Sequence, residues 1–148
     1  MSQQQLQQLS QELQEIQQQI EALQTNVEEV QQEKTEVDEA IDALETLETD
    51  STVQMPIGGG AYLRTTIQDI DEVIVDLGAD SAAELEEDDA VSALESKKEH
   101  LDDRIDDLNA EIAELETESE ELEQQAQQLQ QQAMQQQMGG LGQAQDDE

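Results

Sequence analysis

Residues 53–80 read VQMPIGGGAYLRTTIQDIDEVIVDLGAD, whereas the chain on both sides of them repeats Gln, Glu and Leu at helical spacing. The stretch contains β-branched runs, three consecutive glycines and the only proline of the chain. Apolar residues alternate along it, and turn sequences separate the runs, which is the pattern of short β-strands. We predict four strands, which form two β-hairpins: Thr52–Ile57, Ala61–Ile67, Glu72–Leu77 and Ser81–Leu85.

Two other interpretations of this stretch fail on the residues that follow. The glycine triplet at 58–60 is not followed by Gly-Lys-Ser/Thr, and it joins two strands, so it does not fit a phosphate-binding loop. The DID at 69–71 begins like a calcium loop, but Val73 and Ile74 occupy the next ligand and glycine positions. The glycines are therefore expected to serve hairpin turns, where a positive φ is needed.

A heptad pattern of six repeats precedes the hairpins. Eleven of its twelve core positions are apolar, and Lys34 is the exception. Such a sustained three-four spacing predicts a coiled-coil helix, with bounds 1–50. The positions are Leu6, Leu9, Leu13, Ile16, Ile20, Leu23, Val27, Val30, Lys34, Val37, Ile41 and Leu44.

A second heptad pattern follows the hairpins and predicts a helix over 88–135. Asp88 and Asp89 are favourable at a helix N-terminus. One core series is unbroken leucine from Leu94 to Leu129, while the other contains Lys98 and ends in small residues. Residues 136–148 are predicted as a flexible, acidic and Gln-rich tail.

The two helices are predicted to pair with each other as an antiparallel coiled-coil hairpin. Setting Leu44 opposite Val91 brings every later core layer into alignment, and it places Lys34 near Leu101 and Val37 near Lys98. A slip of seven residues, or a parallel homodimer of each helix, remains open. The predicted fold is α+β and mainly α, with the two β-hairpins of 51–87 inserted between the helices.

Composition limits the function. The formal net charge is −34, with 39 acidic and five basic residues, which excludes direct nucleic-acid binding and disfavours anionic membranes. Such a charge is best tolerated in high salt, where at roughly 1 M the Debye length is about 3 Å, so we expect a halophilic source. An acidic chaperone for basic clients is the competing interpretation.

The sequence shows no pattern of residues that is typical of a catalytic site. There is no cysteine, and His100, the only histidine, is expected to be a solvated surface residue. No nucleophile–base pair can be identified, so we predict no catalytic residue, no metal site and no cofactor. Four short strands bury too little apolar area to be stable alone, so we expect strands from several subunits to complete one barrel.

The stretch PIGGGAYL…VIVDLGA between two long heptad helices closely resembles the α-type subunits of archaeal prefoldin, and the similarity covers essentially the whole chain. The resemblance implies a hexamer of two α and four β subunits, whose hairpins build an intersubunit double β-barrel. It also implies coiled-coil tips that hold unfolded client proteins and pass them to a group II chaperonin without ATP. A cytoplasmic location is expected.

The resemblance also assigns residues to two surfaces. The strand residues implied in subunit assembly are Val53, Met55, Ile57, Tyr62, Leu63, Ile67, Val73, Val75 and Leu77. The residues implied in client binding at the tips are Leu6, Leu9, Leu129, Ala133, Met134, Met138 and Leu141. A fraying, Gln-rich helix end is the alternative for the second set. For the chain as a whole, the alternative function is a structural coiled-coil spacer or adaptor with a β oligomerisation hub.

Overall fold

The computed structural model describes residues 2–146, and the side chains of residues 3–139. The described residues form two compact units: the first runs up to Glu28 and resumes from Asp106, and the second is Glu29–Ile105. Within residues 2–146, six elements follow one another: α1 (Ser2–Thr46), β1 (Thr52–Gly58), β2 (Ala61–Thr66), β3 (Val73–Gly78), β4 (Ser81–Leu85) and α2 (Glu87–Asp146).

The first unit is an antiparallel pair of helical segments. Ile16, Ile20 and Ile112 form its buried cluster. Residues 17–24 of α1 line a groove with 116–123 of α2, and residues 5–12 line another with 125–132, so the two segments run in opposite directions. The half-buried residues packed against the cluster all occupy predicted heptad positions: Leu23, Val27, Leu115 and Leu122.

The helical part of the second unit is also antiparallel, as its ion pairs demonstrate. Lys34 Nζ lies 2.5 Å from Asp102 Oδ1, and Lys98 Nζ lies 2.6 Å from Asp38 Oδ1. Each lysine therefore reaches a carboxylate next to the residue that the predicted register sets opposite it. The core here is aliphatic: the buried residues of the helices are Val30, Val37, Ile41, Ala90 and Leu101.

The first hairpin joins β1 and β2 in antiparallel register, with Thr52 opposite Thr66 and Met55 opposite Leu63. The register shifts between Pro56 and Gly58, which places a bulge where the chain approaches the turn. The turn needs its glycines, because Gly59 and Gly60 have φ of 60° and 80°.

The second hairpin joins β3 and β4, with Val73 opposite Leu85 and Val75 opposite Ala83. Its register also shifts once, between Asp76 and Gly78. The turn residues Ala79 and Asp80 have φ of 51° and 59° without being glycine. An alanine in this left-handed region costs roughly 1–2 kcal/mol, so this turn is strained where the first is not.

The predicted element order and all four strands are confirmed, with strand bounds that differ by at most one residue. The helix bounds were less accurate. α1 ends at Thr46 rather than at residue 50. α2 continues to Asp146, so the prediction that it ends at 135 is wrong, and much of the predicted tail is helical. Gln136, Gln137 and Met138 favour helix, but Gly139, Gly140 and Gly142 disfavour it, so helix propensity alone does not account for the continuation to Asp146.

Candidate functional site

The first hairpin leaves its apolar side chains in solvent. Met55 and Leu63, which lie opposite each other, are 46% and 49% exposed, while Ile57 and Tyr62 are exposed further still. Val53 is half-buried, and its carbonyl accepts a hydrogen bond from Thr65 Oγ1 at 3.2 Å. A two-stranded sheet with both faces in water is marginally stable at best. The hairpin thus presents an apolar face of the kind that another surface must cover.

The second hairpin packs one face against helices of its own unit. Val75 is 7% exposed, and Val73, Ala83 and Leu85 are half-buried. A groove beneath β3 is lined by Leu44 of α1 and Leu94 of α2, among others. This hairpin therefore has a hydrophobic support within the chain.

The structure divides the predicted assembly residues into two groups. Met55, Ile57, Tyr62, Leu63 and Leu77 are exposed, whereas Val75 is buried within its own unit and Val53, Ile67 and Val73 are half-buried. An apolar residue that was not predicted, Ile74, is 76% exposed on β3. Strand alternation places Ile74 on the face opposite Val75, and that alternation was the available signal.

A junction that the sequence did not reveal holds the segment between the two hairpins. Thr49 Oγ1 accepts a hydrogen bond from the backbone N–H of Ile70 at 3.1 Å. Asp71 Oδ1 accepts one from the N–H of Glu87, the first residue of α2, at 3.4 Å. A carboxylate at this position is favourable for a helix N-terminus. The segment is thereby tied to the end of one helix and to the start of the other.

The DID sequence has a structural use in this junction. Asp69 Oδ1 accepts a hydrogen bond from the backbone N–H of Asp71 at 3.0 Å, as in an Asx turn. Within residues 2–146, no group of three or more His, Asp or Glu side chains is arranged to hold a metal ion. The exposed His100 lies beside Lys97 and Asp76 along a surface groove of the second unit.

Lys98 carries the clearest electrostatic effect in the second unit. Its hydrogen bond with Asp38 raises the pKa of the ammonium group, and the nearby charges of Asp102 and Asp42 raise it further. A third contact joins Lys97 Nζ to Glu33 Oε1 at 3.9 Å. Exposed ion pairs contribute little stability, so their main effect here is on which residues face each other.

The predicted client-binding residues lie on the helix pair of the first unit. Leu6, Leu9, Leu129 and Ala133 are half-buried along the seam, in keeping with their heptad positions. Met134 and Met138 are 66% and 75% exposed, one helical turn apart on α2. The side chain of Leu141 lies outside the described residues. None of the helices in residues 2–146 is both long and apolar enough to span a bilayer.

A family model and several relatives match the sequence, and three of those relatives are described here. The model of the family described as Prefoldin subunit matches residues 16–132. A relative named Prefoldin subunit alpha from Haloquadratum walsbyi is 67% identical over 100 residues, which cover 68% of this chain and 65% of the relative. The Prefoldin subunit alpha from Halorubrum lacusprofundi is 60% identical over 105 residues, which cover 71% of this chain and 69% of the relative. The Prefoldin subunit alpha from Haloarcula marismortui is 64% identical over 70 residues, which cover 47% of this chain and 46% of the relative.

Several solved structures share the fold, and two of them are described here. One is a chain of the cryo-EM structure of filamentous PFD from Methanocaldococcus jannaschii, with a TM-score of 0.68, 25% identity, and coverage of 78% of this chain and 98% of that one. The other is the crystal structure of the prefoldin beta subunit from Thermococcus strain KS-1, with a TM-score of 0.54, 27% identity, and coverage of 84% and 90%. The relatives named above come from halophilic archaea, which agrees with the expectation drawn from the charge of −34.

Proposed function

The chain belongs to the prefoldin family of non-enzymatic chaperone subunits, and from this premise we propose that it is an α-type subunit of an ATP-independent holdase. The complex binds unfolded proteins at its coiled-coil tips, keeps them from aggregating and transfers them to a group II chaperonin. Its place of action is the cytoplasm. Cofactors have no part in this function.

The observation that carries the proposal is the exposed apolar face of the first hairpin. Met55 and Leu63, which pair with each other, are each about half exposed, and Ile57 is exposed further, while the exposed Tyr62 lies on the opposite face because it is next to Leu63 on the strand. Complete burial of a large apolar side chain is favourable by about 1.5–3 kcal/mol. Covering several of them at once therefore gives a strong driving force for association with other subunits.

The partners that fit this face are other hairpins of the same kind. Two α and four β subunits would join their strands into an intersubunit β-barrel, which covers apolar faces and pairs open strand edges together. Ile74 and Leu77 of the second hairpin are exposed in the single chain, and in such a barrel they would add further apolar contacts between subunits.

Client binding is assigned to the helix pair of the first unit. The half-buried Leu6, Leu9 and Leu129 and the exposed Met134 and Met138 offer small apolar contacts. Methionine adapts to surfaces of different shape, which suits a site for many clients. Each contact is weak, but several subunits that bind one client raise the effective concentration of the others.

The proposal is tested by diluting a denatured test protein into molar KCl without nucleotide and following light scattering. The assembled complex of this chain with a β-type partner is expected to suppress scattering at near-stoichiometric amounts. If the assembled complex leaves scattering unchanged, the chain is not a holdase subunit.

A deletion separates the holdase from a structural spacer. Removing residues 1–9 and 129–148 is expected to abolish suppression while the mass of the complex shows that the same number of subunits assemble. A structural spacer has no holdase activity, so the deletion would not change its light-scattering result.

Salt distinguishes the holdase from an acidic chaperone for basic clients. The binding of an acidic chaperone to its clients would disappear in molar KCl, where the holdase still suppresses scattering.

A further inference from the structure

The charges of the first unit are unevenly placed. No charged residue occurs in residues 3–11 or 124–139, and sixteen of these 25 residues are glutamine. We call these two segments the neutral zone. The adjoining stretch 106–123 of the same unit carries nine acidic residues, and all five basic residues of the chain lie in the second unit. A chain of net charge −34 thus keeps one part of its surface free of charge.

Helix formation alone does not account for the neutral zone. Glu and Gln have nearly the same helix propensity, so glutamate would serve as well at exposed positions. The first turn of α1 contains no acidic residue, although a carboxylate there would be favourable. The first turn of α2, in contrast, has Glu87, Asp88 and Asp89. The absence of carboxylates from the neutral zone therefore calls for another reason.

The two segments of the neutral zone border a groove of about 360 Å³. Leu9 and Leu129 are its half-buried apolar residues, and Glu12 at its margin is its one charged group. The remaining lining consists of glutamines: Gln5, Gln8, Gln125, Gln128 and Gln132. The groove thus combines a small apolar surface with a surround of amide groups.

Amides and carboxylates offer different hydrogen bonds to a bound chain. A glutamine amide both donates and accepts, whereas an ionised carboxylate only accepts. The amides of the groove can therefore donate to the carbonyl oxygens of an extended polypeptide and to the carboxylates of its side chains. The carboxylates of residues 106–123 can do neither, and at contact distance they repel an acidic segment.

We propose that the neutral zone selects acidic, extended segments of unfolded polypeptides, an inference that rests on the holdase function proposed above. Leu9 and Leu129 contact apolar side chains of the segment, while the surrounding glutamine amides donate to its carbonyl and carboxylate oxygens. A basic segment finds more favourable partners in the carboxylates of 106–123, so acidic chains are the ones that the neutral zone serves.

High salt leaves this selection largely intact. At roughly 1 M the Debye length is about 3 Å, so repulsion between separated charges is screened. The cost of desolvating an unpaired carboxylate in a groove, and the lack of a donor for the client's oxygens, are contact effects that salt does not remove. In molar salt, therefore, the neutral zone should still select acidic segments, although salt then screens the long-range attraction between basic segments and this acidic chain.

Four substitutions and a matched control test the inference. The neutral-zone variant is Q5E/Q8E/Q125E/Q128E, and the control is Q14E/Q18E/Q19E/Q31E, which adds the same charge at exposed positions outside the zone. Both are assembled with the β-type partner and checked for helix content and mass. Light scattering is then measured with a denatured acidic test protein and with a lysine-rich variant of that protein.

The neutral-zone variant is expected to require about fivefold more complex, or more, to hold the acidic client in molar KCl, because four added carboxylates face it without a donor. Its effect on the lysine-rich client should be small, and the control should hold both clients as the parent does. Equal performance of the two variants on the acidic client would overturn the inference alone. If the parent complex holds neither client, the holdase function itself fails, and the inference with it.

Discussion

The two hairpins share topology and length but differ in what covers them. Both are antiparallel pairs of strands of five to seven residues with one register shift near the turn. Met55 and Leu63 of the first are about half exposed, whereas Val75 of the second is 7% exposed against helices of its unit. Strands of the same pattern thus differ in role: the second is supported within the chain, and the first is left for a partner.

Of the changes considered, removal of apolar side chains from the face of the first hairpin is expected to have the largest effect, and that effect is on assembly. The double substitution M55S/L63S removes two apolar side chains that lie opposite each other, at about 1.5–3 kcal/mol for each one fully buried. Assembly with a β-type partner should weaken by two orders of magnitude or more, as measured by the mass of the complex on dilution. The control Q54S lies on the other face and should assemble normally; an equal loss in both would contradict the comparison.

A charge placed in the second hairpin should instead destabilise the chain itself. V75D puts an unpaired carboxylate at a buried position, which costs about 3 kcal/mol or more. I74D, at the neighbouring residue that is 76% exposed, should change the free energy of unfolding of the isolated chain by less than about 0.5 kcal/mol. Urea unfolding in molar KCl measures both. Similar losses for the two variants would mean that β3 does not pack as described.

The turns provide a smaller test of the same contrast. A79G relieves a non-glycine residue at φ 51° and is expected to stabilise the second hairpin by up to about 1 kcal/mol. G59A places a Cβ at φ 60° and should destabilise the first hairpin by about 1 kcal/mol, although no atom within 4 Å would obstruct it. Hydrogen exchange of the strand amides reports each change, and a shift of the same sign in both hairpins would contradict the account.

The smallest effect on stability is expected at the ion pair that joins Lys98 of α2 to Asp38 of α1 in the second unit. The pKa of Lys98 is raised in the folded chain, chiefly by its hydrogen bond with Asp38. Its contribution to stability is therefore fully present below the ordinary lysine pKa of 10.5 and is lost as the pH rises through the higher folded value. K98Q should flatten the loss of stability in that alkaline range. An unchanged pH profile of urea unfolding would show that the pair contributes nothing.

Much of the fold could be predicted because its patterns are local. The alternation of apolar residues predicts the strands, and the three-four spacing predicts the seam, including the placement of Lys34 near Leu101 and of Lys98 near Val37. The carboxylates that the two lysines reach were not predicted, although they lie next to those residues. The sequence predicts too early an end for α2, because Gly139, Gly140 and Gly142 disfavour helix in the segment through which α2 continues.

The less predictable features depend on contacts between distant residues. Alternation separates Ile74 from Val75 but does not say which face meets the helices. The bonds from Ile70 to Thr49 and from Glu87 to Asp71 join residues 21 and 16 positions apart. The residue type of Ala79 does not predict its positive φ, whereas aspartate adopts the left-handed region more readily, so Asp80 is the less surprising of the two turn residues.

Hydrogen–deuterium exchange of the two hairpins, in the isolated chain and in the complex with a β-type partner, tests the central claim most directly. The account predicts that amides of β1 and β2 exchange rapidly in the isolated chain and slow by about tenfold or more on assembly, since pairing and burial must then be broken for exchange. Amides of β3 and β4 should exchange more slowly than those of β1 and β2 in the isolated chain, and their exchange should slow by a smaller factor on assembly. Equal protection of both hairpins in the isolated chain, or no gain in β1 and β2 on assembly, would contradict it.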